Sequence, residues 1–130
     1  MRAEYIRYFA YGFGATYIVV GLLGLLLTGL GDLISPAATL IVFQVNPLHN
    51  LIHILVGALW VVAGSRIPTA RAASQAIGAV YLLLGVVGFF IIGTGLNLLA
   101  LNLADNFLHL ATALAALYVG FFSPAVARNT

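Results

Sequence analysis

The residues best suited to chemistry in this chain are its three histidines, His49, His53 and His109. His49 and His53 stand four positions apart, and Asp105 and His109 repeat that interval. On a helix, residues at i and i+4 lie one above the other. Two such pairs on facing helices offer three imidazoles and a carboxylate, a donor set that suits Zn, Cu or non-haem Fe. Asn50 and Asn106 share the same faces and are placed to orient the rings from behind. The same positions admit a second chemistry, with His53 and His109 as axial ligands of a haem or other tetrapyrrole and Gly24 and Gly88 making room for it. A third is proton or ion handling by the histidine–aspartate set, against which no charged residue continues the path to the opposite membrane face. The fourth reading is structural: asparagine and histidine bonding between helices and holding them together. There is no cysteine nucleophile, no phosphate loop and no serine near the histidines, so no nucleophile–base pairing stands out, and the competing class to a non-enzymatic bundle is a haem-carrying redox component of a membrane complex.

The elements that must position this cluster are read from composition and charge. Hydrophobic residues make up 63% of the 130, and the charged ones are five arginines and three acids. A soluble domain needs far more charge to cover its surface, and a chain this short cannot bury so much apolar surface in a core. A bilayer can receive it. The arginines never form a run, so they mark membrane orientation and do not make a nucleic-acid surface. The expected fold is all-α, a single transmembrane domain over 1–130 with helices at about 8–30, 47–64, 72–93 and 102–122, since about 20 apolar residues cross the hydrocarbon layer. Asn46 at the N-cap and Pro47 behind it start the second helix, where a missing N–H costs nothing. Asn102, with Asp105 three residues on, starts the fourth. The stretch Leu33 to Val45, containing Ser35-Pro36, is too apolar for a solvated loop and is expected on the membrane surface or over the helix ends. Arg66, Pro68 and Arg71 mark a short loop before the third helix.

Arg2, Arg7, Arg66, Arg71 and Arg128 all fall on one side of this layout, with Asp32 and Asp105 on the other. By the positive-inside rule both termini are cytoplasmic. The histidines then lie in the outer half of the bilayer.

The chain also repeats itself. At an offset of 64 residues, Gly14, Tyr17, Gly21, Gly24, Gly29 and Gly31 meet Gly78, Tyr81, Gly85, Gly88, Gly93 and Gly95. At an offset of 56, Asn46, Asn50, His53 and Gly64 meet Asn102, Asn106, His109 and Gly120, while His49 meets Asp105. The expected architecture is therefore two tandem parallel helical hairpins, residues 1–65 and 66–130, related by a pseudo-two-fold axis along the membrane normal. Tyr17, Gly21, Gly24 and Thr28 form one stripe on the first helix, where small residues let backbones approach closely.

The stretch Asn46-Pro47-Leu48-His49-Asn50-Leu51-Ile52-His53, with its echo from Asp105 to His109, resembles a family of small four-helix bacterial membrane proteins classed as a domain of unknown function. The likeness extends over most of the chain. It implies a bacterial plasma-membrane protein of four spans, and it carries no activity, cofactor or catalytic residue with it. The expected partner is the lipid bilayer, with a homo-oligomer or a larger membrane complex as the setting for an accessory bundle of this size.

Overall fold

The structure is a computed structural model that describes residues 3–35 and 37–124. Arg2, Pro36 and Arg128, used above for orientation and for the first connector, lie outside the described residues. The order is α1 (Tyr5–Thr28), β1 (Ala38–Leu40), β2 (Phe43–Val45), α2 (Pro47–Ala63), α3 (Ile67–Ile91) and α4 (Leu103–Phe122). Three of the helices, α1, α3 and α4, are long and apolar enough to cross a membrane, and α2 is a shorter apolar helix. The outward faces are largely apolar, with Leu26, Val62, Phe90 and Phe122 each more than two-thirds exposed. A surface like that belongs in lipid.

The helices pack mainly as two hairpins, α1 on α2 and α3 on α4, and the hairpins meet more lightly through α2–α3 and α1–α3. Close approach inside the first hairpin depends on a glycine pair. A Cβ on Gly14 would stand 2.7 Å from the Gly57 carbonyl oxygen, and one on Gly57 would stand 2.5 Å from that of Gly14. The buried positions of α1 run Ile6, Ala10, Gly14, Tyr17, Gly21 and Gly24, so the small-residue stripe does face the interior. Trp60 sits fully buried at the centre of the core, edge-on to Phe9, Phe13 and Tyr17 at 5.6 to 5.9 Å. Its Nε1 donates to Ser74 Oγ at 3.3 Å, which joins the two hairpins through a satisfied polar contact.

The first helix runs Tyr5–Thr28, a few residues earlier than expected, and the largest difference lies at the third. The third helix begins at Ile67 and not near residue 72, so Arg71 is helical. Pro68 falls in the first turn, where the absent N–H has no helical acceptor to lose. The turn between α2 and α3 is correspondingly tight, closed by Arg7 Nε donating to Gly64 O at 2.9 Å and by Thr69 Oγ1 donating to Ala63 O at 2.6 Å.

At the other end of the bundle the long connector folds into a small antiparallel hairpin, with Ala38 paired to Val45 and Leu40 to Phe43. It packs over the helix ends, one of the two placements its apolar character called for. Its two-residue turn puts Ile41 at φ 62°, a costly conformation for a β-branched residue. The second connector is stitched by Asn97, whose side chain accepts from Leu101 N and donates to Leu101 O, both at 2.8 Å. The two N-cap asparagines tie these connectors together. Asn46 Oδ1 accepts from His49 N at 2.9 Å while its Nδ2 donates to Leu98 O at 2.8 Å. Asn102 Oδ1 accepts from Asp105 N at 3.0 Å while its Nδ2 donates to Val42 O at 2.9 Å. Each side chain thus caps its own helix and fastens the connector of the opposite hairpin.

Candidate metal centre

The caps at Asn46 and Asn102 fix where α2 and α4 begin, and with that the height of the histidines. His49 lies one turn into α2, and His53 and His109 lie about two turns in from the helix starts. All three side chains are buried, at 1%, 6% and 3% exposure. The His49 ring centroid stands 4.4 Å from that of His53 and 5.8 Å from that of His109. Each of the three offers a ring nitrogen within 4.8 Å of the other two. A tetrahedral ion with bonds of about 2.0–2.1 Å needs its ligands ~3.3 Å apart, so these nitrogens would have to draw closer to share one.

The His53 and His109 rings are held largely by ring packing. Tyr17 packs edge-on to His53 and Tyr81 edge-on to His109, both at 5.0 Å, and the two tyrosines meet each other at 5.5 Å. Both nitrogens of His49, and Nδ1 of His53 and of His109, are buried without a hydrogen-bond partner. The His49 ring also lies against the backbone of Leu99 and of Gln44. Nothing dry and apolar compensates such groups, and each unpartnered polar group costs about 1–3 kcal/mol. The interhelical hydrogen bonds that a purely structural cluster calls for are absent among the described histidines.

Three expectations are corrected here. First, Asp105 is not grouped with the imidazoles. Its Oδ2 accepts from Asn102 N at 2.9 Å and from Gln44 N at 3.1 Å, so it completes a capping box and anchors the β-hairpin. It lines the same small cavity as His53 and His109. Second, Gly24 and Gly88 leave no room for a tetrapyrrole. A Cβ at either would run into the amide of Asn50 or Asn106, which already fills the gap. The cavities beside the histidines measure about 160 and 90 Å³, well below the hundreds of Å³ of a cofactor pocket. A haem plane has no slot between rings that pack on one another. Third, Asn50 and Asn106 do not orient the imidazoles. Asn50 Nδ2 donates to Thr28 Oγ1 at 3.1 Å, and both amide atoms of Asn106 are unpartnered.

Tyr17, Tyr81 and Thr112 belong to the site and were not singled out for it by spacing. Tyr17 OH donates to Thr112 Oγ1 at 3.1 Å beside His53. The signal was present in the matched pair Tyr17 and Tyr81, read above as part of a packing stripe. Below this layer, toward the arginine end, the core of Trp60, Ile77, Ala113 and Ala116 holds no acid, histidine or cation among the described residues. A proton relay therefore finds no continuation there.

Four apolar helices closing over a buried nest of imidazoles define a small helical membrane protein with a buried polar site. Within that class, the chain belongs to the family described as Domain of unknown function (DUF4383), whose model matches residues 7–122. No curated protein and no solved structure matches it.

Proposed function

We propose that this chain is a small accessory protein of the bacterial plasma membrane that holds one transition-metal ion on His49, His53 and His109. The observation that carries the reading is the coincidence of three buried imidazoles within ligating range with Nδ1 atoms of His53 and His109 that have no hydrogen-bond partner. In a bilayer there is no water to take up such groups. Three neutral imidazoles suit Zn, Cu or Fe, and they leave a fourth position open on a tetrahedral ion.

The wider reading has two hairpin repeats about a membrane-normal axis, with both termini cytoplasmic. Paired contacts support the repeat: Tyr17 on His53 against Tyr81 on His109, and Asn50 against Gly24 as Asn106 against Gly88. Arg7, Arg66 and Arg71 gather at one end and Asp32 and Asp105 at the other, which supports the orientation.

The test is metal analysis of protein purified in mild detergent, joined to thermal unfolding with and without chelator. About one ion per chain is expected, lost in His53→Asn and in His109→Asn. Chelation should remove about 2.7 kcal/mol of stability where free metal had stood at ~100 times its dissociation constant. A cluster that only glues helices would lose about 0.6 kcal/mol per substitution and ignore chelator. Wild type without metal, indifferent to chelator and matched by both variants would overturn the reading.

A further inference from the structure

A groove opens between the two hairpins at the arginine end of the bundle, where α2 and α3 meet lightly. Leu59, Val62 and Ala63 of α2 face Ala73, Ala76 and Ile77 of α3 across it, and Ser65, Arg66 and Thr69 line its end at the turn. Its volume is about 630 Å³, against about 160 and 90 Å³ for the cavities beside the histidines, so the room for a sizeable ligand is here. The lining is graded. It is apolar along the helices and polar only where the turn reaches the membrane surface.

The repeat explains the open space. At the offset of 64 residues, Ala73 answers to Phe9 and Ile77 to Phe13. Phe9 and Phe13 stack at 4.2 Å and both pack edge-on to Trp60. The first half thus carries a ring where the second has the methyl group of Ala73. The polar end holds an uncommitted cation. Thr69 Oγ1 donates to Ala63 O and Arg66 O, and Arg7 Nε donates to Gly64 O, but Arg66 is exposed and forms no ion pair among the described residues.

An arginine at the mouth of an apolar groove between membrane helices matches an amphiphile with a negative head. A second copy of the chain fits less well, since two-fold pairing through this groove would set Arg66 against Arg66. We propose that the groove holds one anionic phospholipid, its phosphate on the Arg66 guanidinium and an acyl chain along the alanines of α3. This lipid site stands independently of the three-histidine reading.

Native mass spectrometry of the full chain, released from neutral detergent micelles, tests it with phosphatidylglycerol and phosphatidylcholine of the same acyl chains. One lipid should be retained, with phosphatidylglycerol favoured about five-fold, the effect of one arginine beside an anionic headgroup. Arg66→Gln should remove that preference. Arg71→Gln, at the same end but outside the groove lining, should keep it. Ala73→Phe writes in the ring of the matching position and should abolish retention of both lipids. Ala76→Phe does the same one turn on if the first variant does not fold. In thermal unfolding, phosphatidylglycerol should stabilise the protein and inorganic phosphate should not. Equal retention of the two lipids, a preference that survives Arg66→Gln or falls equally in Arg71→Gln, retention unchanged in both phenylalanine variants, or stabilisation by phosphate alone would overturn the proposal. A lipid-free dimer would give the groove to a second copy and overturn it as well.

Discussion

His49 and Asp105 occupy matching positions in the two halves and do different work. His49 turns its ring to the other histidines, while Asp105 takes two backbone N–H groups in its carboxylate. Because the two differ between halves, sequence comparison suggests that they matter little to the architecture. The structure gives Asp105 an architectural task after all. The three imidazoles also set a pH dependence. A metal ligand must be deprotonated, so protons and metal compete for the same nitrogens. Acidification should release the ion once protons outcompete it for those nitrogens. Metal retained after dialysis at stepwise lower pH measures it, and retention undiminished at any acidity the fold survives would count against imidazole ligation. At the glycines, Gly24→Ala forces a methyl onto Asn50 and should destabilise the protein by about 1–3 kcal/mol in detergent unfolding. Adding Asn50→Ala removes the obstacle, so the double variant should lose less than the sum of the two single losses.

At the level of elements, the capping box of α4 and the β-hairpin share the Asp105 carboxylate. Asp105→Ala should cost about 1 kcal/mol through the lost cap and also free the Gln44 amide. Hydrogen exchange over residues 38–45 should accelerate in that variant, while exchange at the centre of α3 should not change. Equal acceleration in both segments would mean global loosening and not release of the hairpin. How far such elements could be read in advance depended on local signals. Asn46-Pro47 placed the start of α2 because cap and proline act within one turn. Pro68 misled at α3, because proline can open a helix as well as block one. The β-hairpin left no trace, since its turn at Ile41-Val42 has none of the glycine, asparagine or aspartate that marks such turns. At the site, spacing brought out the histidines but could not show that Asn50 and Asn106 fill the glycine gaps. That contact spans two helices, and no periodicity on either one encodes it.

On the scale of the whole molecule, the two ends carry opposite chemistry. Arg7, Arg66 and Arg71 stand at one end, and the connectors with Asp32 and Asp105 stand at the other. Thr69 and Ala37 are exposed at these two ends. In intact cells, a cysteine at Thr69 should escape a membrane-impermeant thiol reagent and one at Ala37 should react. The reverse pattern would invert the orientation and put the histidines near the cytoplasm. A matching cysteine at Asn129 lies outside the described residues, but the same reagent reads it in the same way.

The crossed caps have a consequence for how the chain is made. Asn46 finds its shorter amide bond at Leu98 and Asn102 finds its own at Val42, so each half finishes on residues of the other. A nascent first hairpin enters the bilayer with that Asn46 bond unmade, and it stays unmade until the last third of the chain has been synthesised. Closure of that end therefore waits for the second half of the chain. On the proposed metal site, an ion has until then to reach the imidazoles.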